Sequence, residues 1–167
     1  MKKIKVYLDT SVISYLDQED APEKTKETRE VWKRFERGEF EIYLSQITLD
    51  ELERCLEAKK NILYDYLGMI AYTRLNVNDE TTALTRRIIE LGILKPKNVA
   101  DCQHIAIAVV NGCDLLLSWN FRHMVNIKTI RGMRAVTNLE GYGNIDIVSP
   151  SALLISEEDE DETRNRP

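Results

Sequence analysis

The chain of 167 residues holds only two histidines, three cysteines, four prolines and seven glycines. The cysteines, Cys55, Cys102 and Cys113, are odd in number and show no C-x-x-C spacing. That excludes a disulfide framework and a cysteine-built zinc knot, and the three read as small buried hydrophobes. Cys102 shortly precedes His104, but two such ligands are too few for structural zinc. No apolar run approaches the roughly 18–20 residues of a membrane span. Met1-Lys2-Lys3 leads into a strand with a polar Lys5 instead of a long apolar core, so no secretory signal and no membrane are expected, and a cytoplasmic bacterial or archaeal protein is the simplest reading. Neither G-x-x-x-x-G-K-[ST] nor G-x-G-x-x-G occurs, which removes the phosphate-cradling glycine loops. G-x-S-x-G is also absent, which removes the serine-hydrolase elbow.

Acids exceed bases, giving a net charge of −5, but the excess is local. Residues 156–167 (SEEDEDETRNRP) carry six acids and two bases and no apolar residue, and read as a disordered acidic tail. The body, residues 1–155, is close to neutral and of a length for one domain. A neutral body is not the basic footprint of a tight nucleic-acid binder. Basic stretches do occur at Lys59-Lys60, at Arg86-Arg87, at Lys95 and Lys97, and from Arg122 through Lys128 to Arg131 and Arg134. Most read as solvated faces, with a minority lining a substrate groove.

Strands and helices alternate along the body. Residues 3–8 read as a strand, 11–17 as a short helix, and Gln18–Lys24, with Pro22, as a polar connection. A helix over 25–37 stops at Gly38. A strand at 41–45 precedes helices at 48–58 and 60–71 and a strand at 73–77. The segment 79–92 places Ala83, Leu84, Ile88 and Leu91 on one helical face and closes at Gly92. Residues 98–111 form the most apolar helix, implying burial, and 114–118 is a continuous apolar strand of the parallel-sheet kind. Helical pieces over 121–140 and a strand at 145–148 complete the pattern. The expected fold is α/β, a three-layer α/β/α sandwich with a mainly parallel central sheet. Right-handed crossovers would bring every strand-to-helix turn to one edge.

Carboxylates stand at the turning points of that edge. Asp9 ends the first strand, where ligands of open α/β sheets collect. Asp9 is also a plain helix N-cap, although Thr10 and Ser11 can cap as well. Thr10 and Ser11 can alternatively orient the carboxylate or a metal-bound water. Glu51 sits early in a helical run, with Thr48-x-x-Glu51 matching a capping box, and Asp50 and Glu53 compete with it as candidates. Asp101 follows Asn98 at the start of the most apolar helix, where a carboxylate is either at an exposed mouth or costly to hide. Three carboxylates from distant segments suggest a cage for hard cations such as Mg²⁺ or Mn²⁺. Asn120, in Ser118-Trp119-Asn120-Phe121, offers a weaker amide oxygen, and Ser118 and His104 are supporting candidates. Trp119 and Phe121 read first as core and second as base-stacking platforms. A dehalogenase-type phosphatase would need a second aspartate where Ser11 stands.

Four segments in order carry a resemblance: the strand ending in Asp9-Thr10-Ser11; Ser45 followed by Glu51-Leu52; Asp101-x-x-His104-Ile105-Ala106-Ile107-Ala108; and Leu116-Leu117-Ser118-Trp119-Asn120-Phe121. Together they resemble the PIN-domain nucleases, in particular the VapC-like toxin ribonucleases of type II toxin–antitoxin systems, over about residues 3–154. The resemblance implies a PIN-like sandwich and metal-dependent cleavage of RNA, with Asp9, Glu51 and Asp101 as catalytic residues binding Mg²⁺ or Mn²⁺. It also implies an antitoxin protein partner and a homodimer. Many members carry a fourth acid where this chain has Asn120, a departure that weakens a second metal position. Two other readings stay open: a catalytically weak PIN-like module that binds RNA or protein, and a DNA-directed nuclease or phosphatase using the same acids.

Overall fold

In the computed structural model, residues 2–154 are described; the acidic segment read as a disordered tail lies outside them. Five strands, β1 (Lys5–Leu8), β2 (Glu41–Ser45), β3 (Tyr72–Leu75), β4 (Leu115–Leu117) and β5 (Asp146–Val148), form one sheet. Their order is β3-β2-β1-β4-β5 and every neighbouring pair is parallel. Alternation along the strands divides the apolar side chains between two cores. Val6, Leu8, Ile42, Leu44 and Leu117 point to one face, where α1 (Thr10–Ser14), α2 (Pro22–Glu36) and α4 (Glu57–Gly68) cover them. Tyr7, Tyr43, Leu116 and Ile147 point to the other, under α5 (Asp79–Glu90), α6 (Val99–Val110) and α7 (Ile127–Glu140). Both faces are buried, as a parallel sheet requires. The three-layer α/β/α sandwich is therefore present. Among the described residues no helix is long and apolar enough to cross a membrane.

The chain adds β2 and β3 on one side of β1, then returns to add β4 and β5 on the other. The strand order reverses between β1 and β4, which opens a crevice at their carboxyl ends. Asp9 follows β1 there, Ser118 follows β4, and α6 begins there because it runs back against the strands.

Element boundaries depart from expectation where a local signal has a second use. Pro22 opens α2 instead of lying in a connection, since its missing N–H is no loss at the first helical position. The helix expected over 48–58 is α3 (Gln46–Leu52), and Glu53–Leu56 separates it from α4. Thr48 consequently sits inside α3, where its hydroxyl donates to the Leu8 carbonyl at 3.5 Å, and the expected capping box with Glu51 does not form. The inward stripe of α5 is Thr81, Leu84, Thr85 and Ile88; Ala83 and Leu91 face solvent. Threonine hides its hydroxyl on backbone carbonyls, as Thr85 does on Thr81, and so passes as a core residue. Residues 121–126 are a loop held by Asn126, whose side chain caps α7 on the Thr129 N–H and donates back to Phe121 and Arg122. Cys102 and Cys113 are buried as expected, whereas Cys55 is only half-buried.

Gly132, in the middle of α7, faces Ile93: a Cβ there would lie 2.8 and 3.0 Å from its two γ carbons. Those carbons sit close to the Ile93 backbone and cannot swing clear. Gly132→Ala should therefore lower unfolding free energy by about 1–2 kcal/mol, overpacking exceeding alanine's helix preference of about 1 kcal/mol. Gly68→Ala at the end of α4, where a Cβ meets nothing within 4 Å, should raise it by about 0.5 kcal/mol. Denaturant unfolding of both variants measures the two signs.

Candidate active site

The crevice at the ends of β1 and β4 is a cleft of about 290 Å³ lined by Asp9, Thr10, Ser11, Glu51, Asp101, His104 and Asn120, with Ser14 and Tyr15 at its side. Every acid expected at the site reaches it. A larger hollow of about 630 Å³ runs along α2, but it is a mixed-charge trough in which Arg29 already pairs with Asp17.

Asp9 is the most buried of the three acids, only 3% exposed. One oxygen accepts from the Ser11 hydroxyl and the Val12 N–H, so Asp9 does cap α1. Its other oxygen accepts from the Ser118 hydroxyl. Ser11 also accepts the Trp119 N–H and Ser118 the Asn120 N–H, each at 2.9 Å. The two serines thus clasp the ends of β1 and β4 around one carboxylate. Among the described residues no lysine or arginine forms an ion pair with Asp9. Burial pushes its carboxyl above the ordinary range, against the opposing pull of His104 and the Ser11, Ser118 and Val12 hydrogen bonds.

Glu51 projects from the last turn of α3 and meets the Nε2 of His104 at 3.0 Å. Burial acts to raise its carboxyl, but the hydrogen bond and charge of His104, with Thr10 and Arg54, outweigh it and hold the group below its usual value. The competing acids go elsewhere: Asp50 to Gln46 and Glu53 to Lys60 and Tyr64. His104 is itself buried in α6, with its Nδ1 2.7 Å from the Tyr7 hydroxyl, which donates to Ser45 at 2.8 Å. Thr10 stands 3.5 Å from His104 Nε2. Asp101, one turn before His104, meets the Nδ1 of His123 at 2.9 Å. Asn120 turns its amide oxygen to the His123 N–H at 2.9 Å, folding the loop after β4 against the cleft.

Tyr7 and His123 are site residues that sequence reasoning missed. Tyr7 carried a signal, since a hydroxyl on an inward strand position must find a partner. His123 carried none: it follows Asn120 by three residues in a loop without periodicity. Of the two aromatic candidates, Trp119 is core, its indole N–H donating to Thr28, whereas Phe121 is 47% exposed.

Asp9, Glu51, Asp101 and the Asn120 amide supply oxygen donors alone, the set that suits Mg²⁺ or Mn²⁺. A buried carboxylate paired with no lysine or arginine among the described residues fits the same ligand. The donors are not drawn together: among the described residues no three His, Cys, Asp or Glu side chains are spaced to hold a metal ion. Glu51 and Asp101 are instead each turned onto a histidine.

A family model described as the PIN domain matches residues 6–123. The chain belongs to the PIN domain family. That family is one of nucleases, so its carboxylate cleft is read as a hydrolytic site. The PIN fold is shared with two solved structures at a TM-score of 0.53 each. One is VapBC2 from Rickettsia felis bound to a DNA fragment from their promoter, 14% identical, with 87% of this chain and 98% of that chain covered. The other is PAE2754 from Pyrobaculum aerophilum, 13% identical, with 92% and 88% covered. No curated protein matches the sequence significantly.

The raised Asp9 value has a sign that stability measurements can read. A folded value above the unfolded one favours the native state while Asp9 is protonated. That advantage is lost as pH rises through the folded value. In EDTA at pH 7, Asp9→Asn should therefore melt above the wild type, and the margin should close as pH falls into the ordinary carboxylate range. A variant that melts lower at pH 7 would mean that the hydrogen bonds to the ionised form outweigh its burial.

Proposed function

We propose that the protein is a divalent-metal-dependent endoribonuclease that hydrolyses RNA phosphodiester bonds, and that it is the toxin of a toxin–antitoxin pair with an antitoxin protein as its partner. Asp9, Glu51 and Asp101 would hold Mg²⁺ or Mn²⁺, with Asn120 as a further oxygen donor. The observation that carries this reading is Asp9: a carboxylate buried at the strand-order reversal, facing a cleft with two more acids, and paired with no lysine or arginine among the described residues. Such an arrangement lowers stability and is accounted for by a cation bound during function. The toxin reading is supported by likeness of fold to the Rickettsia VapBC2 assembly.

When bound, the ion supplies a more acidic water and positive charge against the phosphate. The protein's part is positional. Ser11 and Ser118 aim both oxygens of Asp9 and leave neither free to rotate. The same contacts give the two serines a positioning part: each donates its proton to Asp9 and accepts a backbone N–H. His104 and His123 hold Glu51 and Asp101 at the rim with fixed orientations and donate the hydrogen bonds that an ionised carboxylate can only accept. Tyr7, anchored on Ser45, sets the His104 ring, so the Glu51 position is determined from inside the core.

Cleavage of labelled RNA with Mg²⁺, Mn²⁺ or EDTA tests the reading. Cutting should require metal, fall to background in Asp9→Asn and Asp101→Asn, and drop on the order of 10–100-fold in Tyr7→Phe, which loosens the support of Glu51 without touching an acid. Mn²⁺ should raise the melting temperature of the wild type more than that of Asp9→Asn. RNA left intact by folded wild-type protein at both metals would overturn the proposal, and preferential cutting of DNA would redirect it.

A further inference from the structure

Beside the carboxylate cleft, on the far side of His123, lies a second cavity of about 190 Å³. Its wall carries Lys95, Lys97, Arg122 and Lys128, and no acidic residue. The cations arrive from three places: the turn before α6, the loop after β4 and the first turn of α7. All four are exposed, and among the described residues none forms an ion pair with a carboxylate. Arg29, Arg34, Arg37, Lys60 and Arg87 each have an acidic partner, while exposed bases such as Lys26, Lys33 and Arg74 have none among the described residues; the four differ from these in lining one cavity. Two helices of twelve and fourteen residues, α6 and α7, also begin at this wall and direct their positive ends towards it. Asn98, ahead of α6, makes no side-chain cap there.

We infer that this cavity is a subsite for the phosphodiester backbone of the RNA strand next to the scissile bond. The inference rests on the ribonuclease reading and adds to it where the strand lies. The cleft holds three carboxylates and repels a polyanion, so affinity has to come from cations outside it. His123 lines the basic cavity and bonds Asp101 of the cleft, so the two cavities share a wall. A strand with one phosphate at the carboxylates and its neighbours along this wall passes directly over His123. An acidic protein segment would satisfy the same cations but would have no reason to adjoin the carboxylates.

The test is binding of a fluorescein-labelled single-stranded RNA of twelve nucleotides, in EDTA so that nothing is cut, across a range of salt. Wild-type protein is compared with the triple variant Lys97→Gln, Arg122→Gln, Lys128→Gln, and with a charge-matched control, Lys26→Gln, Lys33→Gln, Arg74→Gln. The salt slope of log K should flatten by about 0.7 for each phosphate that is no longer neutralised, which for three phosphates is about 100-fold in affinity at 0.1 M salt. The control should follow the wild type, and all three proteins should melt alike. Cleavage of a dinucleotide substrate with Mn²⁺ should be unchanged in the triple variant. If wild-type protein cuts RNA but the triple variant binds and cuts like the control, the subsite is overturned and the nuclease reading stands. If the triple variant loses RNA binding but wild-type protein does not cut with either metal, the subsite stands and the nuclease reading falls. Displacement of the RNA by polyglutamate at equal concentration would assign the cavity to an acidic protein segment and overturn the inference.

Discussion

Asp9 is held as a carboxylate between the ends of two adjacent parallel strands, with hydroxyls and a backbone N–H as its hydrogen-bond partners. Much of the structure follows from holding it there. Leu8 and Leu117, paired in register, bring the two strand ends together. Cores on both faces keep the strands immobile, because sliding either would expose Val6, Leu8, Tyr7 or Leu116. The sandwich thus supplies the rigidity, and the reversal of strand order supplies the opening.

Around that fixed group the other acids are restrained more lightly. Glu51 and Asp101 each rest on a histidine, and both are partly open to solvent. The acids thus grade from a buried, doubly clasped carboxylate to two rim carboxylates. Charge is graded in the same sense along the surface, with acids in the cleft and unpaired bases beyond His123. Near-neutrality of the body conceals this separation, because the two signs cancel in a sum and not in space.

Apolar runs and alternation made the strands and the three layers legible, since burial on both faces leaves a strong mark on composition. Asp9 and Asp101 were legible because an acid stands out at the end of an apolar strand or at the head of an apolar helix. Glu51 was not separable from Asp50 and Glu53: three acids in one helix differ only in the direction each faces, and that depends on where α3 begins. The Thr48 pattern misled for the same reason, the helix starting at Gln46 and not after Thr48. Lys95, Lys97, Arg122 and Lys128 showed as two separate basic stretches, with nothing to say that α6 and α7 begin against one wall.

The amino-acid sequence by itself determined the alternation of strands and helices, the parallel sheet and the acids that stand at its edge, because these depend on local periodicity and on the types of residue at strand ends. Tertiary structure alone decided which of three neighbouring acids faces the cleft, that Tyr7 reaches His104 through the core, that His123 holds Asp101, and that four bases gather beyond it. Those are relations between residues up to about a hundred positions apart in the chain. Only the packing of α3, α6 and α7 against the sheet brings such residues within hydrogen-bonding or Coulombic reach.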